Sequence, residues 1–391
     1  MLLNTNKNCD FCDNSIEHIY NPINSLRGMK LFVCNNCGLL ESKPSIEYES
    51  RPPGNMSSDA DRSSYRYTKT LVANTYADLM LKYIKPMKIN QILDVGSKRG
   101  AFFQWASLKL NFNKIKCIET DGSIVDDYKN NVKVDLTIDR IENLDLDKNQ
   151  YDFCFCVHTL EHAFSVKGML KQIFESLKFG GRFFLAVPNL IWHKDVIEEC
   201  FIDPHTYHFN FYVLKGILEK TGFKIIKHGD PDGSDAIFIL EKINETFILD
   251  ETDKDFDINT NIKESIDEYQ NLITFNRNLV KETVQFINEH CNNGKKYFIW
   301  GAGRIFDALI KFGGLDSHEN IYLIDKFLSD MFTHSNNMKV NKRSEIKDLI
   351  DEESIVYIAS RDYKDEILVE ASDLGFKQAL IFGSKLSVME I

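Results

Sequence analysis

Residues 91–120 read QILDVGSKRG AFFQWASLKL NFNKIKCIET, and this stretch decides the fold. Its apolar start predicts a strand, the loop Asp94–Gly100 carries two glycines, and an apolar helix begins at Ala101. A second predicted strand ends in Glu119. Glycines between a strand and a helix let the backbone approach a ligand closely, and an acid that closes the next strand can accept hydrogen bonds from ribose hydroxyls. The stretch therefore predicts a nucleoside site in an α/β fold.

The charge of this loop narrows the choice of nucleoside. Asp94 places a carboxylate inside the loop, which favours a cationic ligand over a pyrophosphate. S-adenosylmethionine (SAM) has a ribose and a positive sulfonium but no phosphate, so it fits this pattern. The residues of the stretch that we expect to contact SAM are Asp94, Gly96, Ser97, Gly100, Glu119 and Thr120.

The next part of the chain continues the pattern. Residues 151–157 predict a buried strand that runs into His158-Thr159-Leu160-Glu161-His162. His158 should face the ligand, because ligands bind at the carboxyl ends of parallel strands. An amphipathic helix, a Gly-Gly turn and a further strand follow, and this order resembles class I SAM-dependent methyltransferases. The resemblance implies that His162 also lines the cofactor and that Glu142 stands where many of these enzymes contact adenine.

Composition limits the classes of function. The chain has 391 residues, enough for two or more domains, and is 43% hydrophobic and 27% charged, as globular proteins are. The net charge of −11 argues against a general nucleic-acid or anionic-membrane surface, since both bind clustered positive charge. The N-terminus lacks the apolar core of a signal peptide and no apolar run reaches about 18 residues. We therefore expect no membrane span and a cytoplasmic location.

Four of the nine cysteines form two C-x-x-C pairs, Cys9 with Cys12 and Cys34 with Cys37, about twenty residues apart. This spacing predicts a tetrahedral zinc site, and a shell of four thiolates with no open position makes the zinc structural rather than catalytic. The alternatives are unrelated redox or packing pairs, and a zinc ribbon that reads nucleic acid. The segment between the pairs holds little basic charge, which disfavours the zinc ribbon.

The pattern divides the chain into five segments. The expected fold class is α/β, with a small N-terminal zinc module, a central doubly wound SAM-binding Rossmann-like domain and a second, smaller Rossmann-like domain. The predicted bounds are 1–45 for the zinc-binding module, 46–90 for an arm and lead-in helix, 91–240 for the SAM-dependent domain, 241–295 for a linker with a long helix, and 296–391 for the C-terminal domain.

The C-terminal segment holds a second glycine loop. A predicted strand leads into Gly301-Ala302-Gly303, and the next strand ends in Asp325, which is half of a dinucleotide-binding pattern. Phe306 stands where a small residue should let helix and strand pack closely. We therefore favour a structural Rossmann-like domain, or one that holds part of a nucleotide-linked substrate, over a true NAD site.

These parts in this order resemble the sugar C-methyltransferase family, whose members act on keto-deoxysugars linked to a nucleotide. The resemblance covers nearly the whole chain and includes Cys37-Gly38-Leu39 and Lys98, which replaces the middle glycine of most methyltransferases. It implies that Tyr65 and Tyr67 belong to an arm that approaches the sugar and takes part in catalysis. Residues 360–367 resemble a late strand-to-helix motif of the family.

One position departs from the family. A Glu-His pair implicated in catalysis follows its fifth strand, whereas here His208 matches the histidine and Tyr207 replaces the glutamate. C-methylation requires a proton to leave a carbon beside a carbonyl, while O-methylation needs only a base near a hydroxyl, which His208 could supply. We expect His208 as the base, His205 as a substrate contact, and a narrow preference for oxygen. A metal on His205 and His208 lacks a third ligand with suitable spacing.

The sequence therefore predicts a SAM-dependent methyltransferase with structural zinc. Its expected acceptor is a small molecule, a sugar linked to a nucleotide, and not a nucleic acid. Two alternatives remain. One is an NAD-dependent sugar-modifying enzyme that uses the loop at Gly301, and the other is a non-catalytic scaffold protein that binds SAM.

Overall fold

The computed structural model divides the chain into two compact units. The first contains Met1–Ile191 and Cys200–Lys263, and the second contains Trp192–Glu199 and Glu264–Ile391. Both are α/β, as the sequence predicts. None of the described helices is long and apolar enough to cross a membrane. The described residues are 8–22, 28–44, 76–129, 131–190, 196–197, 200–201, 205–247, 262–326, 328–330, 333–360, 363–382 and 388–391.

Strands and helices alternate through most of the first unit. The strands are β1 (Ile16–Tyr20), β2 (Met29–Cys34), β3 (Leu40–Pro44), β4 (Gln91–Val95), β5 (Lys114–Glu119), β6 (Val134–Ile138), β7 (Tyr151–Val157), β8 (Leu177–Pro188), β9 (Tyr207–His208), β10 (Phe223–His228) and β11 (Asp235–Lys242). The α-helices are α1 (Ala77–Ile84), α2 (Ala101–Lys109), α3 (Val166–Ser176) and α4 (Phe211–Glu219).

Seven of these strands form one sheet, in the order β10-β11-β8-β7-β4-β5-β6. Neighbouring strands from β8 to β6 are parallel, and β11 is antiparallel to both β8 and β10. The chain runs from β4 toward β5 and β6 and then returns to β7 on the other side, so the strand order reverses between β4 and β7. Ligands of open α/β sheets bind at such a reversal, beyond the carboxyl ends of the strands.

Apolar side chains cover both faces of this sheet. Every residue of β7 is buried, which explains why its sequence YDFCFCV is continuous rather than alternating. The Phe155 ring stacks on Phe102 of α2 at 3.8 Å and on Phe184 of β8 at 5.6 Å between centroids. Cys154 and Cys156 are fully buried and pack as small hydrophobes.

Asp152 ties the amino ends of β4 and β7 together. Its Oδ2 accepts hydrogen bonds from the backbone amides of Asn90 at 2.8 Å and Gln91 at 2.9 Å. Its Oδ1 accepts a hydrogen bond from Lys178 Nζ at 2.5 Å. Burial raises the pKa of Asp152, but the hydrogen bonds from Lys178 and the two amides outweigh burial and lower the pKa below its ordinary value. This anchor is at the edge opposite the carboxyl strand ends, so it supports the sheet rather than a ligand.

A four-stranded sheet at the N-terminus has the order β1-β2-β3-β9, and we call it the N-terminal sheet. Its last strand comes from far along the chain, and Leu40 of β3 pairs with His208 of β9. Asp10 Oδ2 accepts Ser165 Oγ at 3.1 Å and the amide of Lys167 at 3.2 Å, at the first turn of α3. A carboxylate there complements the positive end of the helix dipole. Residues 1–45 and the central domain thus share one sheet and one helix contact.

The second unit contains nearly all of the long helix α5 (Ile262–Asn292). It also contains a second seven-stranded sheet, in the order β14-β15-β13-β12-β16-β17-β18. The five inner strands are parallel, and β14 and β18 are antiparallel edges. The strands are β12 (Tyr297–Trp300), β13 (Ile321–Ile324), β14 (His334–Ser335), β15 (Met338–Asn341), β16 (Ile355–Ile358), β17 (Gln378–Ile381) and β18 (Met389–Glu390). The remaining helices are α6 (Arg304–Lys311), α7 (Arg343–Ile346) and α8 (Lys364–Leu374).

The predicted glycine loop of the second unit lies between β12 and α6. Asp325 follows β13, and its Oδ2 accepts the amide of Ala302 at 3.0 Å while its Oδ1 accepts the amide of Leu328 at 2.8 Å. Phe306 is fully buried in the core of this unit. The carboxylate of Asp325 therefore connects two turns of its own sheet.

Candidate cofactor and acceptor site

The turn between β4 and α2 approaches a neighbouring segment closely at Gly96. This residue has φ +71°, and a Cβ built on it would lie 2.0 Å from Thr159 Oγ1. Thr159 follows β7, and its Oγ1 lies 3.4 Å from the carbonyl oxygen of Val95. A side chain at position 96 would therefore push apart the carboxyl ends of β4 and β7. We call residues 96–100 the glycine loop.

Glu119, at the end of β5, lies beside this loop and is only 3% exposed. Its Oε2 accepts the backbone amide of Lys98 at 2.8 Å, and its Oε1 accepts the amides of Thr120 at 2.8 Å and Asp121 at 3.2 Å. These three bonds hold the carboxylate against the glycine loop, where the sequence predicts an acid for ribose.

Tyr128 fixes the same loop from the other side. Its hydroxyl donates to the carbonyl oxygen of Lys98 at 2.8 Å and lies 3.0 Å from Ser97 Oγ. Burial raises the pKa of Tyr128, and the charges of Cys117 and Asp94 add to this, so the hydroxyl stays protonated and remains a donor. These hydrogen bonds fix the conformation of the loop.

Asp94 and Ser97, two of the predicted cofactor residues, face inward. Asp94 is fully buried at the end of β4, and Ser97 is 1% exposed. Burial raises the pKa of Cys117 on the adjacent strand, and the charge of Asp94 raises it further. The carboxylates of Asp94 and Glu119 lie at the base of the glycine loop, and Lys98 Nζ is 3.8 Å from Glu119 Oε1.

Glu142 lies in a short 3₁₀ helix (Ile141–Asn143) after β6. Its Oε1 accepts the amide of Phe164 at 2.8 Å, and its Oε2 is buried with no hydrogen-bond partner among the described residues. The guanidinium of Arg140 lies 3.6 Å from the centroid of the Phe164 ring and donates to the carbonyl oxygen of His162 at 3.1 Å. Glu142 thus has one buried oxygen that accepts no hydrogen bond from the described residues.

Four histidines converge beyond the carboxyl end of β7, namely His158, His162, His205 and His208. Together with Glu161 we call them the histidine cluster. The ring centroids of His162 and His205 lie 4.7 Å apart, and those of His205 and His208 lie 6.0 Å apart. Glu161 Oε1 lies 3.8 Å from both His158 Nδ1 and His162 Nε2.

His158 has a charged partner and an accessible side chain. Its Nε2 lies 3.4 Å from Asp235 Oδ1, at the start of β11, and the hydroxyl of Tyr76 donates to Asp235 Oδ2. Burial raises the pKa of Asp235, but the hydrogen bond and charge of His158 outweigh burial, and the pKa is lowered. The side chain of His158 is 31% exposed. An ionised carboxylate behind an accessible imidazole is an arrangement that can accept a proton from a substrate.

His208 is more deeply buried than His158, whereas His205 is half-buried. Burial lowers the pKa of His205 to about 2, with the charges of the other three histidines adding to it, and burial lowers the pKa of His208 to about 3, with His162 adding. His208 Nε2 lies 2.8 Å from Ser42 Oγ of the N-terminal sheet. Both imidazoles are therefore neutral at pH 7, and His208 already has a hydrogen-bond partner.

The four cysteines of the two C-x-x-C pairs come together at the N-terminal sheet. The Sγ atoms of Cys9 and Cys37 lie 3.6 Å apart, and those of Cys12 and Cys34 lie 3.4 Å apart. A disulfide bond is about 2.05 Å long, which excludes one here. Thiolates at about 2.3 Å from a tetrahedral zinc would lie about 3.8 Å from one another. The spacing therefore fits the predicted structural zinc.

Comparison with known proteins identifies the class of this site. The family model of a methyltransferase domain matches residues 66–228, a range that contains the glycine loop, Glu119 and the whole histidine cluster. The chain carries a SAM-dependent methyltransferase domain. The enzyme class predicted from the sequence, a methyltransferase, is thereby confirmed. No curated protein matches the chain.

Solved structures similar to part of the chain come from several organisms. The SAM-dependent methyltransferase of Mesorhizobium loti is 12% identical, with 39% of this chain and 90% of that chain covered at a TM-score of 0.35. The 1,6-didemethyltoxoflavin-N1-methyltransferase of Burkholderia thailandensis is 12% identical, with 53% and 96% covered at a TM-score of 0.35. One SAM-dependent methyltransferase of Methanosarcina mazei is 15% identical, with 40% of this chain and 94% of that chain covered at a TM-score of 0.33. At these values the likeness concerns the fold alone.

The methyltransferase domain brings the predicted residues together in two groups. The predicted cofactor residues around the glycine loop form one group, and the predicted histidines form the other. Tyr65 and Tyr67, predicted for the arm, lie outside the described residues. The roles of all these residues in binding and catalysis stay predictions.

Sequence reasoning missed three side chains of the methyltransferase domain. Tyr128 contacts the glycine loop, Asp235 contacts His158, and Tyr76 donates to Asp235, yet none of them belongs to a recognisable motif. The only signal was for Asp235, a charged residue directly before the apolar run 236–240. Glu161 was noticed in its motif but given no role.

Proposed function

We propose that the methyltransferase domain transfers a methyl group from SAM to a nucleotide-linked sugar at the reversal between β4 and β7. One observation carries the proposal. The glycine loop and the histidine cluster lie at adjacent strand ends, since Thr159 is 3.4 Å from Val95 and opposes Gly96. A cofactor site beside a group of bases is what methyl transfer to a polar acceptor requires. The resemblance to sugar C-methyltransferases supports a sugar as the acceptor.

The glycine loop would hold the cofactor with Asp94, Glu119 and Glu142 around it. When bound, SAM supplies a methyl group attached to a positively charged sulfur. Glu119 would accept hydrogen bonds from the ribose, and the remaining oxygen of Glu142 would accept one from adenine. The hydroxyl of Tyr128 keeps the loop in place, so little ordering accompanies binding.

Methyl transfer to a hydroxyl also requires a base that takes up the hydroxyl proton. The sequence favours His208, but its Nε2 is engaged by Ser42 and the residue is only 5% exposed. His158 is more accessible, and the carboxylate of Asp235 would stabilise its protonated form. We therefore propose His158 as the base in preference to His208, with Asp235 as its positioning residue.

Two matched substitutions separate these bases. Transfer of labelled methyl groups from SAM to a pool of nucleotide-linked sugars is measured for His158→Ala and His208→Ala, together with S-adenosylhomocysteine (SAH) affinity. We expect His158→Ala to lose at least about 100-fold in kcat with unchanged SAH affinity, because general base catalysis contributes about that much. Full activity in His158→Ala together with loss in His208→Ala would return the role to His208.

We propose oxygen rather than carbon as the acceptor atom. Tyr207, which stands where the family has a glutamate, is 2% exposed and donates to the carbonyl oxygen of Phe164 at 3.0 Å. Burial raises the pKa of Tyr207, and the charges of Asp10 and Glu41 add to this, so its hydroxyl does not exchange protons with a substrate near neutral pH. A site without this second acid–base group supports O-methylation.

Deuterium exchange tests the choice of atom. The active enzyme is incubated with its keto-sugar acceptor in heavy water, and the carbon beside the carbonyl is followed by mass spectrometry. The proposal expects methyl transfer without deuterium entering that carbon. Exchange that depends on the enzyme would instead establish carbon as the nucleophile.

The two alternative functions have their own signatures. An NAD-dependent enzyme would use Asp325 for ribose. Phe306, which is fully buried where a small residue would let helix and strand pack closely, supports a structural role for that loop. Tight NADH binding with no SAM binding would favour this alternative. A scaffold protein would bind SAM but show no turnover on any sugar, with or without the His158→Ala substitution.

A further inference from the structure

We propose that Glu161, His162 and His205 bind a divalent transition-metal ion, separate from the four-cysteine cluster and beside the acceptor position. Two imidazoles and one carboxylate form a donor set that suits Zn²⁺, Mn²⁺ or Fe²⁺. The sequence showed no third ligand for a metal at the histidines, because Glu161 and His205 become neighbours only in the folded chain.

The spacing of the three side chains fits one ion. Their ligand atoms all lie within 4.8 Å of one another. An ion at the centre of an equilateral triangle with this side would be about 2.8 Å from each atom, so the atoms need to move inward by at most about 0.7 Å to reach the usual distance of about 2.1 Å. Small rotations of the side chains supply such a movement.

Glu161 provides the independent reason to expect a cation. Its side chain is 3% exposed, and neither carboxylate oxygen has a hydrogen-bond partner among the described residues. His158 Nδ1 and His162 Nε2 both lie 3.8 Å from Glu161 Oε1, which is beyond hydrogen-bond distance. A buried carboxylate is costly unless it is paired or coordinates a metal. An ion among these side chains would remove that cost.

The backbone around the cluster is built to hold the ligands in place. Glu161 and His162 are consecutive in a short 3₁₀ helix (Leu160–His162) after β7, and His205 lies two residues before β9. The amide of Thr206 donates to the carbonyl oxygen of Glu161 at 2.9 Å, which joins the two segments. Arg140 donates to the carbonyl oxygen of His162 at 3.1 Å. Both ligand-bearing segments are thus anchored through their main chain.

Three protein ligands leave coordination positions open, which is the pattern of catalytic rather than structural metal sites. Resting on the proposed function, the ion would bind oxygen atoms of the acceptor, such as a hydroxyl beside a carbonyl or a second hydroxyl. A bound hydroxyl loses its proton more readily, and His158 Nδ1, 3.8 Å from Glu161 Oε1, is the nearest base. The acceptor class therefore narrows to sugars with two adjacent oxygens.

Cobalt titration of the full-length protein tests the site. Metal-stripped protein is titrated with Co²⁺, because cobalt bound by thiolates has an intense charge-transfer band and cobalt bound by imidazole and carboxylate does not. We expect two equivalents in the unsubstituted protein, one with the thiolate band and one without. Glu161→Gln and His205→Asn should each lose only the second equivalent, while His334→Ala, at an exposed position of the second unit, should keep both.

Two outcomes of the cobalt titration contradict the metal site. Binding of only the thiolate-type equivalent by the unsubstituted protein would overturn the proposal, as would a second equivalent that survives both Glu161→Gln and His205→Asn. If those variants fold poorly, the spectrum of the unsubstituted protein decides alone. SAH titration of the same samples separates the two levels of inference, since SAH binding without a second metal overturns the metal site and leaves the methyltransferase intact.

Discussion

A single side chain, Tyr128, holds the glycine loop in its conformation. Tyr128 donates to the carbonyl oxygen of Lys98 and lies within hydrogen-bond distance of Ser97. Tyr128→Phe deletes only this hydroxyl, and we expect SAH to bind about five- to tenfold more weakly, since a hydrogen bond is worth about 1 kcal/mol. Isothermal titration calorimetry measures the change.

The matched control for this substitution is Tyr151→Phe, which deletes the same atom from a buried tyrosine of β7. Its SAH affinity should equal that of the unsubstituted protein. Unchanged affinity in Tyr128→Phe would mean that the loop keeps its shape without the hydroxyl.

Some residues of the candidate site could be predicted from the sequence, and others could not. Asp94, Gly96 and Glu119 were accessible because they lie within one strand–turn–helix–strand unit, where local order along the chain fixes spatial order. Asp235 was hidden, because its contact with His158 depends on β11 pairing antiparallel with β8. Local patterns do not specify such pairings between distant segments.

At the level of elements, Asp152 links the starts of β4 and β7. Its folded pKa is lowered, so its contribution to stability is complete above the unfolded pKa of about 4 and is lost as pH falls through the folded value. Asp152→Asn should lower the free energy of unfolding by about 2 kcal/mol at pH 7, because charged hydrogen bonds are lost. The difference from the unsubstituted protein should shrink at pH values below about 4.

Urea unfolding at several pH values measures this prediction. Asp147→Asn, an exposed position before the same strand, should change the unfolding midpoint little at any pH. An Asp152→Asn deficit of constant size from pH 7 to acid would show that the charge of Asp152 contributes nothing.

The N-terminal sheet is the element that the proposed zinc would stabilise. The amide of Ser42 in β3 donates to the carbonyl oxygen of Thr206 at 2.8 Å, so order at the cysteines extends to the histidine cluster. Replacing Cys34 and Cys37 with Ser should remove one equivalent of zinc and speed hydrogen exchange at Ser42. Elemental analysis and exchange mass spectrometry test both.

Cys291→Ser is the control for the cysteine substitutions, since this buried cysteine belongs to the second unit. It should leave both the zinc content and the exchange at Ser42 unchanged. If the protein without zinc keeps slow exchange at Ser42, the metal does not support this sheet.

Across the whole molecule, the sequence predicted the α/β class and two Rossmann-like sheets, because alternating strand and helix patterns are local. The pairing of β3 with β9 was not predictable. The strand β9 is only two residues long, and its partner β3 ends at Pro44, far earlier in the chain. This pairing places residues 1–45 in the same compact unit as the central domain. The finer bounds of the predicted segments stay a prediction.

Calorimetry with SAH tests the central claim, that the crevice between β4 and β7 is a SAM site held by Glu119. Zinc-loaded, full-length protein should release or absorb heat with a stoichiometry of one SAH per chain. Glu119→Gln, which keeps the shape of the side chain but removes its charge, should bind at least about tenfold more weakly. No heat with the unsubstituted protein, or equal affinity in both proteins, would contradict the claim.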